Sequence, residues 1–156
     1  MPTQPPLIAP ERPPENAAAP QLEVPPDLQG LAAKLVAVEK YDAALQLYEI
    51  ALEDHPQDVL ATLGKGNTLL FLKRPAEALT TFENALHLDP ACALAYEGQA
   101  LALSQLGRNK EALIAYEAAI QQNPSFAPSY YGKAHVFLLL KRPFAALWTY
   151  WRARHL

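Results

Sequence analysis

From Asp27 onward the chain is a succession of short amphipathic segments. Apolar residues recur at intervals of three and four, as in Leu45, Tyr48, Ala51 and Leu52, which places them on one stripe of a helix. The pattern breaks near Glu39-Lys40, Lys73-Arg74-Pro75, Gly107-Arg108-Asn109 and Lys141-Arg142-Pro143, and again at Pro56, Pro90 and Pro124. Pro75 and Pro143 suit the first turn of a helix, where no backbone donor is needed. Pro56, Pro90 and Pro124 instead close the segment before them, because proline cannot continue a helix. The pattern predicts four helix pairs, with first helices near 27–38, 58–72, 92–106 and 126–140 and second helices near 41–53, 75–88, 109–122 and 143–155.

The pairs are copies of one unit. Pro56, Pro90 and Pro124 are spaced 34 apart, and so are Gly30, Gly64, Gly98 and Gly132, four of the six glycines. The same step connects Ala44, Ala78, Ala112 and Ala146; the aromatics Tyr48, Phe82, Tyr116 and Tyr150; and Ala51, Ala85, Ala119 and Ala153. A glycine inside a helix costs about 1 kcal/mol relative to alanine. Its return at one position of every unit therefore predicts a packing requirement.

A two-helix unit of 34 residues, with a small residue in the first helix, then Ala, an aromatic four later, Ala three after that and a closing Pro, resembles the tetratricopeptide repeat. The third unit carries the signature best, in Tyr96, Ala100, Leu103, Leu106, Gly107, Ala112, Tyr116, Ala119 and Pro124; the second matches through Gly66, Leu69, Ala78, Phe82, Ala85 and Pro90. Thr62 and Leu28 stand where the family favours an aromatic, and the fourth unit has no closing proline. The resemblance implies an all-α, right-handed solenoid of four antiparallel helix pairs, with repeats at about 25–58, 59–92, 93–126 and 127–156 and the first helices on the concave side. No unit buries its own stripe, so neighbours supply the core.

Composition changes the picture mainly at the N-terminus. Residues 1–26 hold nine of the fifteen prolines without apolar periodicity, which predicts an extended, disordered tail. Pro2 to Pro5 and Pro10 to Pro13 have spacings that suit proline-binding domains, a plain linker being the simpler reading. The segment lacks a basic stretch followed by an apolar one, and no later stretch reaches the roughly 18 apolar residues of a membrane span. A single cysteine, Cys92, excludes an internal disulfide. A soluble cytoplasmic protein is expected, touching membranes only through a partner. The net charge of -3 lacks the basic excess of nonspecific nucleic-acid binding, so no nucleic-acid partner is expected.

Candidate chemistry is sparse. His55, His87, His135 and His155 are dispersed among the units, none in a metal-ligand spacing with another His or with Cys92. Cys92 opens a first helix, where the dipole lowers a thiol pKa, but a small packed residue is the simpler reading. Gly64-Lys65-Gly66-Asn67 imitates a phosphate loop, yet lies inside a helix and not before one. Glu49, Glu83 and Glu117 repeat as a solvated face. No metal, cofactor or catalytic group is expected.

Binding surfaces follow from the implied geometry. The concave wall is expected to present Leu60, Leu63, Asn67, Leu70 and Phe71, then Leu94, Glu97, Leu101, Ser104 and Gln105, then Tyr131, His135, Leu138 and Leu139. Several of these leucines have an equal claim to the core. Some family members clamp a peptide's terminal carboxylate with Lys, Arg and Asn on this wall; only Asn67 suits such a clamp, so an extended apolar segment or an amphipathic helix is expected instead. The ends differ in charge: residues 27–58 hold seven acidic and two basic residues, whereas 125–156 hold five basic and no acidic ones. In the last unit Trp151 replaces Glu49, Glu83 and Glu117, and Trp148 replaces Gln46, Thr80 and Ile114. With no polar capping helix after them, Leu147, Trp148, Trp151, Arg152 and Arg154 form a candidate edge interface, unless the indoles fold back as their own cap. The expected function is a non-catalytic protein-binding adaptor or assembly factor. The alternative is a scaffold whose copies stack through oppositely charged ends.

Overall fold

The computed structural model describes residues 27–156, so the predicted proline-rich tail, 1–26, lies outside the described residues. The described chain forms eight helices and no strand: α1 (Leu28–Ala37), α2 (Tyr41–Asp54), α3 (Val59–Phe71), α4 (Pro75–Leu88), α5 (Ala93–Gln105), α6 (Asn109–Gln122), α7 (Ala127–Leu139) and α8 (Pro143–Arg154). Every boundary lies within one residue of the position expected from the pattern.

Local chemistry explains the boundaries. The Asp27 carboxylate accepts from the Gly30 N–H at 2.7 Å and that of Asp58 from Ala61 at 3.0 Å, capping the free donors of α1 and α3. Pro75 and Pro143 open α4 and α8. Each first helix ends on one residue in the left-handed region, at Glu39 (φ 60°), Lys73 (59°), Gly107 (75°) and Lys141 (57°), again one period apart. The next residue's N–H then reaches back five residues, as from Arg74 to the Leu69 carbonyl at 2.9 Å and from Arg108 to Leu103 at 2.9 Å. This satisfies a terminal carbonyl and turns the chain sharply enough for the second helix to pack on the first.

The first helices touch one another in sequence, α1 with α3, α3 with α5 and α5 with α7, whereas each second helix contacts first helices only. The first helices are therefore the inner layer. The core runs continuously through the middle of the stack, and Phe82 and Tyr116 are its largest closed-in side chains, 0% and 1% exposed.

The 34-residue spacing of glycines and aromatics is one device. A Cβ on Gly64 would lie 2.4 Å from the Tyr48 ring, one on Gly98 2.2 Å from Phe82, and one on Gly132 2.4 Å from Tyr116. Helices α2, α4 and α6 each press their aromatic against the backbone of the next first helix, and only glycine leaves room. Gly30 has no aromatic in the preceding column, and among the described residues the atoms nearest a Cβ there are those of the capping Asp27 side chain.

Candidate functional site

The inner layer exposes most of the residues expected to form the wall. Leu60, Asn67, Phe71, Leu94, Leu101, Gln105, Tyr131, His135, Leu138 and Leu139 are exposed, while Glu97 and Ser104 are half-buried. Leu63 and Leu70 require correction. Both are 7% exposed members of the central core, because α5 lies over this face of α3. Leu70 still shows an edge to a hollow; Leu63 does not.

That hollow, of about 460 Å³, is the first place where the wall becomes a site. Asn67, Leu70 and Phe71 of α3 meet Leu101 and Gln105 of α5, with Ala33 and Val36 of α1 opposite and Lys73 at the rim. Phe71 is braced from behind by Tyr41, their rings stacked at 5.0 Å and 10°. Ala33, Val36 and Lys73 were missed by sequence reasoning. Ala33 and Val36 stand one period before Asn67 and Leu70, so the repeat itself carried the signal that places them here. Lys73 enters through the left-handed turn, which no helical pattern encodes.

One acidic side chain on the wall is shifted by its surroundings. Burial, which penalises the charged form, raises the Glu97 pKa. Burial first, and the Glu97 charge second, push the Tyr116 hydroxyl upward as well. A folded-state pKa above the unfolded one means that the folded chain binds more protons between the two values. Stability therefore falls as pH rises through that interval. Glu97→Gln is expected to raise the melting temperature at pH 7, with the gain disappearing below the ordinary glutamate pKa of about 4.3. An equal gain at both pH values would show that the substitution acts by packing and not by removing a buried charge.

At the other end, Leu147, Trp148, Trp151, Arg152 and Arg154 are all exposed. The indoles do not fold back over the apolar stripe. Trp148 lies on the outer face with the column of Gln46, Thr80 and Ile114, and the Arg152 guanidinium sits 5.7 Å from its ring centroid and 5.5 Å from that of Tyr130. Trp151 packs against His155 at 4.3 Å. A second hollow, of about 530 Å³, opens between α7 and α8, lined by Tyr131, Ala134, His135 and Leu138 on one side and Pro143, Ala146, Leu147 and Tyr150 on the other. It unites three residues expected in the groove with one expected at the edge. Tyr150 was missed because its column is core in every earlier unit.

Among the described residues, no three His, Cys, Asp or Glu side chains converge as a metal site would require. Cys92 is half-buried and packs against the central core. No described helix is long and apolar enough to cross a membrane.

Solved structures share this architecture. A thermophilic TPR protein from Thermus thermophilus, TTC0263, superposes with a TM-score of 0.77 at 28% identity, covering 81% of this chain and 71% of that one. MamA from Desulfovibrio magneticus RS-1 gives 0.74 at 20% identity, with 82% and 72% covered. The first TPR domain of human RPAP3 gives 0.72 at 20% identity, with 76% and 93% covered. At these identities the last two show the fold alone. No curated protein sequence matches the chain. The family model described as Tetratricopeptide repeat matches residues 31–81 and 63–128, overlapping spans that together take in well over half of the sequence. Period, helix bounds, glycine-on-aromatic packing and right-handed solenoid agree with that match: the chain belongs to the tetratricopeptide repeat family.

Proposed function

We propose that the chain is a non-catalytic adaptor whose inner hollow holds an apolar segment, extended or helical, of another protein. The observation that supports this most is the composition of the hollow at α3 and α5: Phe71 and Leu101 offer apolar surface, Asn67 and Gln105 offer paired donors and acceptors, and Lys73 is the one charge. A mainly apolar concavity with a few convergent amides suits a peptide anchored by side-chain burial and oriented by main-chain hydrogen bonds. With a lone Asn and a lone Lys it is a poor carboxylate clamp. None of its polar groups forms the nucleophile and base pair that chemistry on a bound ligand would need.

Peptides selected from a random displayed library on the native protein provide the test. They are expected to carry apolar anchors and to bind Leu101→Glu at least tenfold more weakly, since a central anchor contact is worth about 1–2 kcal/mol or more. Trp148→Glu, on the outer face, is expected to leave their binding unchanged. Peptides that bind Leu101→Glu as tightly as the native chain would sink the groove reading.

A further inference from the structure

The hollow between α7 and α8 has the form of an empty helix seat. Its counterparts one and two periods earlier are filled: α5 covers Leu63, Ala78 and Phe82, and α7 covers Ala112 and Tyr116. Tyr150, in the column of Tyr48, Phe82 and Tyr116, is 50% exposed where those are 7%, 0% and 1%. Among the described residues no further helix lies over it, and only the Tyr131 ring packs on its edge, at 5.4 Å.

We propose that this seat takes α1 of a second copy of the chain, so that protomers stack head to tail in register with the repeat. Two column relations carry the inference. Within the chain, an aromatic meets the glycine 16 residues later, as Tyr48 meets Gly64, Phe82 meets Gly98 and Tyr116 meets Gly132. The same step from Tyr150, less four periods, arrives at Gly30, the one glycine of the series with no aromatic against it. The next column pairs Glu49 with Lys65 at 3.1 Å, and Glu117 with Lys133, while the middle junction holds Glu83 and Gln99. At the junction its members are Trp151 and Leu31, 56% and 41% exposed. Two positions that are polar at every internal junction, and ion-paired at two of the three, are both apolar here, on two faces that never touch within one protomer. Such a matched change is what a contact between copies requires and what two independent solvent-facing positions do not.

Charge agrees with the register. Leu52 packs against the cluster that contains Ala61, and the same two columns at the junction hold Arg154 and Asp27. The basic fourth unit thus meets the acidic first one. Lys34 occupies the column of the buried Thr68, Ala102 and Val136, so the junction carries a charge in a column that is uncharged in the other units. The stack is accordingly weaker than the solenoid it extends, and its growth is reversible. The contact is heterologous and does not close on itself, and it leaves the inner hollow at α3 and α5 open.

Light scattering over a concentration series tests the contact with three forms of the full chain. Native protein is expected to grow beyond two chains as concentration rises. Gly30→Arg places a bulky cation on the face of α1 that must lie against Tyr150. Leu147→Glu with Trp151→Glu places acid in the seat. Leu147 and Trp151 are exposed, a side chain at position 30 first meets that of Asp27, and unchanged far-UV dichroism verifies that each variant is folded. Each variant alone is expected to be monomeric. Mixed, they are expected to form a complex of two chains and no larger, because one intact α1 and one intact seat remain. A native chain that stays monomeric to its solubility limit overturns the proposal, as does a folded mixture that stays monomeric. Association of Gly30→Arg alone overturns it too: a pair would place the contact between two C-terminal ends, and growth beyond a pair would place it away from Gly30.

Discussion

Gly98→Leu is expected to destabilise the protein by about 3 kcal/mol in urea unfolding, although leucine is the far better helix former. Helix propensity alone favours the substitution by about 1 kcal/mol. Packing opposes it: the new Cβ would stand 2.2, 2.4 and 2.6 Å from three atoms of the Phe82 ring. The ring has no room to retreat, since it is 0% exposed and a Cβ on Gly66, pointing at it as well, would lie 2.7 Å away. Helix α5 must step off α4, and overpacking of this kind costs about 1–3 kcal/mol or more. A variant as stable as the native chain, or more so, would mean that the glycine column does not serve close approach.

The second large effect is its complement. Phe82→Ala removes a fully buried ring from the centre of the stack and is expected to cost about 4 kcal/mol, within the range for buried aromatics. Domains of this size have about 5–15 kcal/mol in total, so this is a large share. The two substitutions are then expected to be strongly non-additive. With the ring gone, the leucine at position 98 fills part of the space it left, and the double variant should be more stable than Phe82→Ala alone. Simple addition of the two losses would show that Gly98 and Phe82 do not act on each other.

Much of this is legible in the residues because it is periodic. The Gly30, Gly64, Gly98 and Gly132 column and the Tyr48, Phe82, Tyr116 and Tyr150 column are both visible as spacings, and the structure joins them into one contact. What spacing does not reveal is which side of a stripe the next helix covers. Leu63 and Leu101 are both leucines on inner helices, yet one is 7% exposed and the other 37%. Trp148 and Trp151 are three residues apart and read alike; one faces outward under Arg152, and the other packs against His155.

The sequence by itself determined the unit, its length, the helix bounds and the family, because propensity, capping and apolar period are properties of neighbours along the chain. Tertiary structure alone decided which leucines are wall and which are core. It likewise brought Lys73 to the rim of the inner hollow, and left Tyr150 half exposed where Phe82 and Tyr116 are closed in. Burial is conferred by whatever element lies opposite. In a stack of near-identical units that is set by the neighbouring helix, and not by the residue itself.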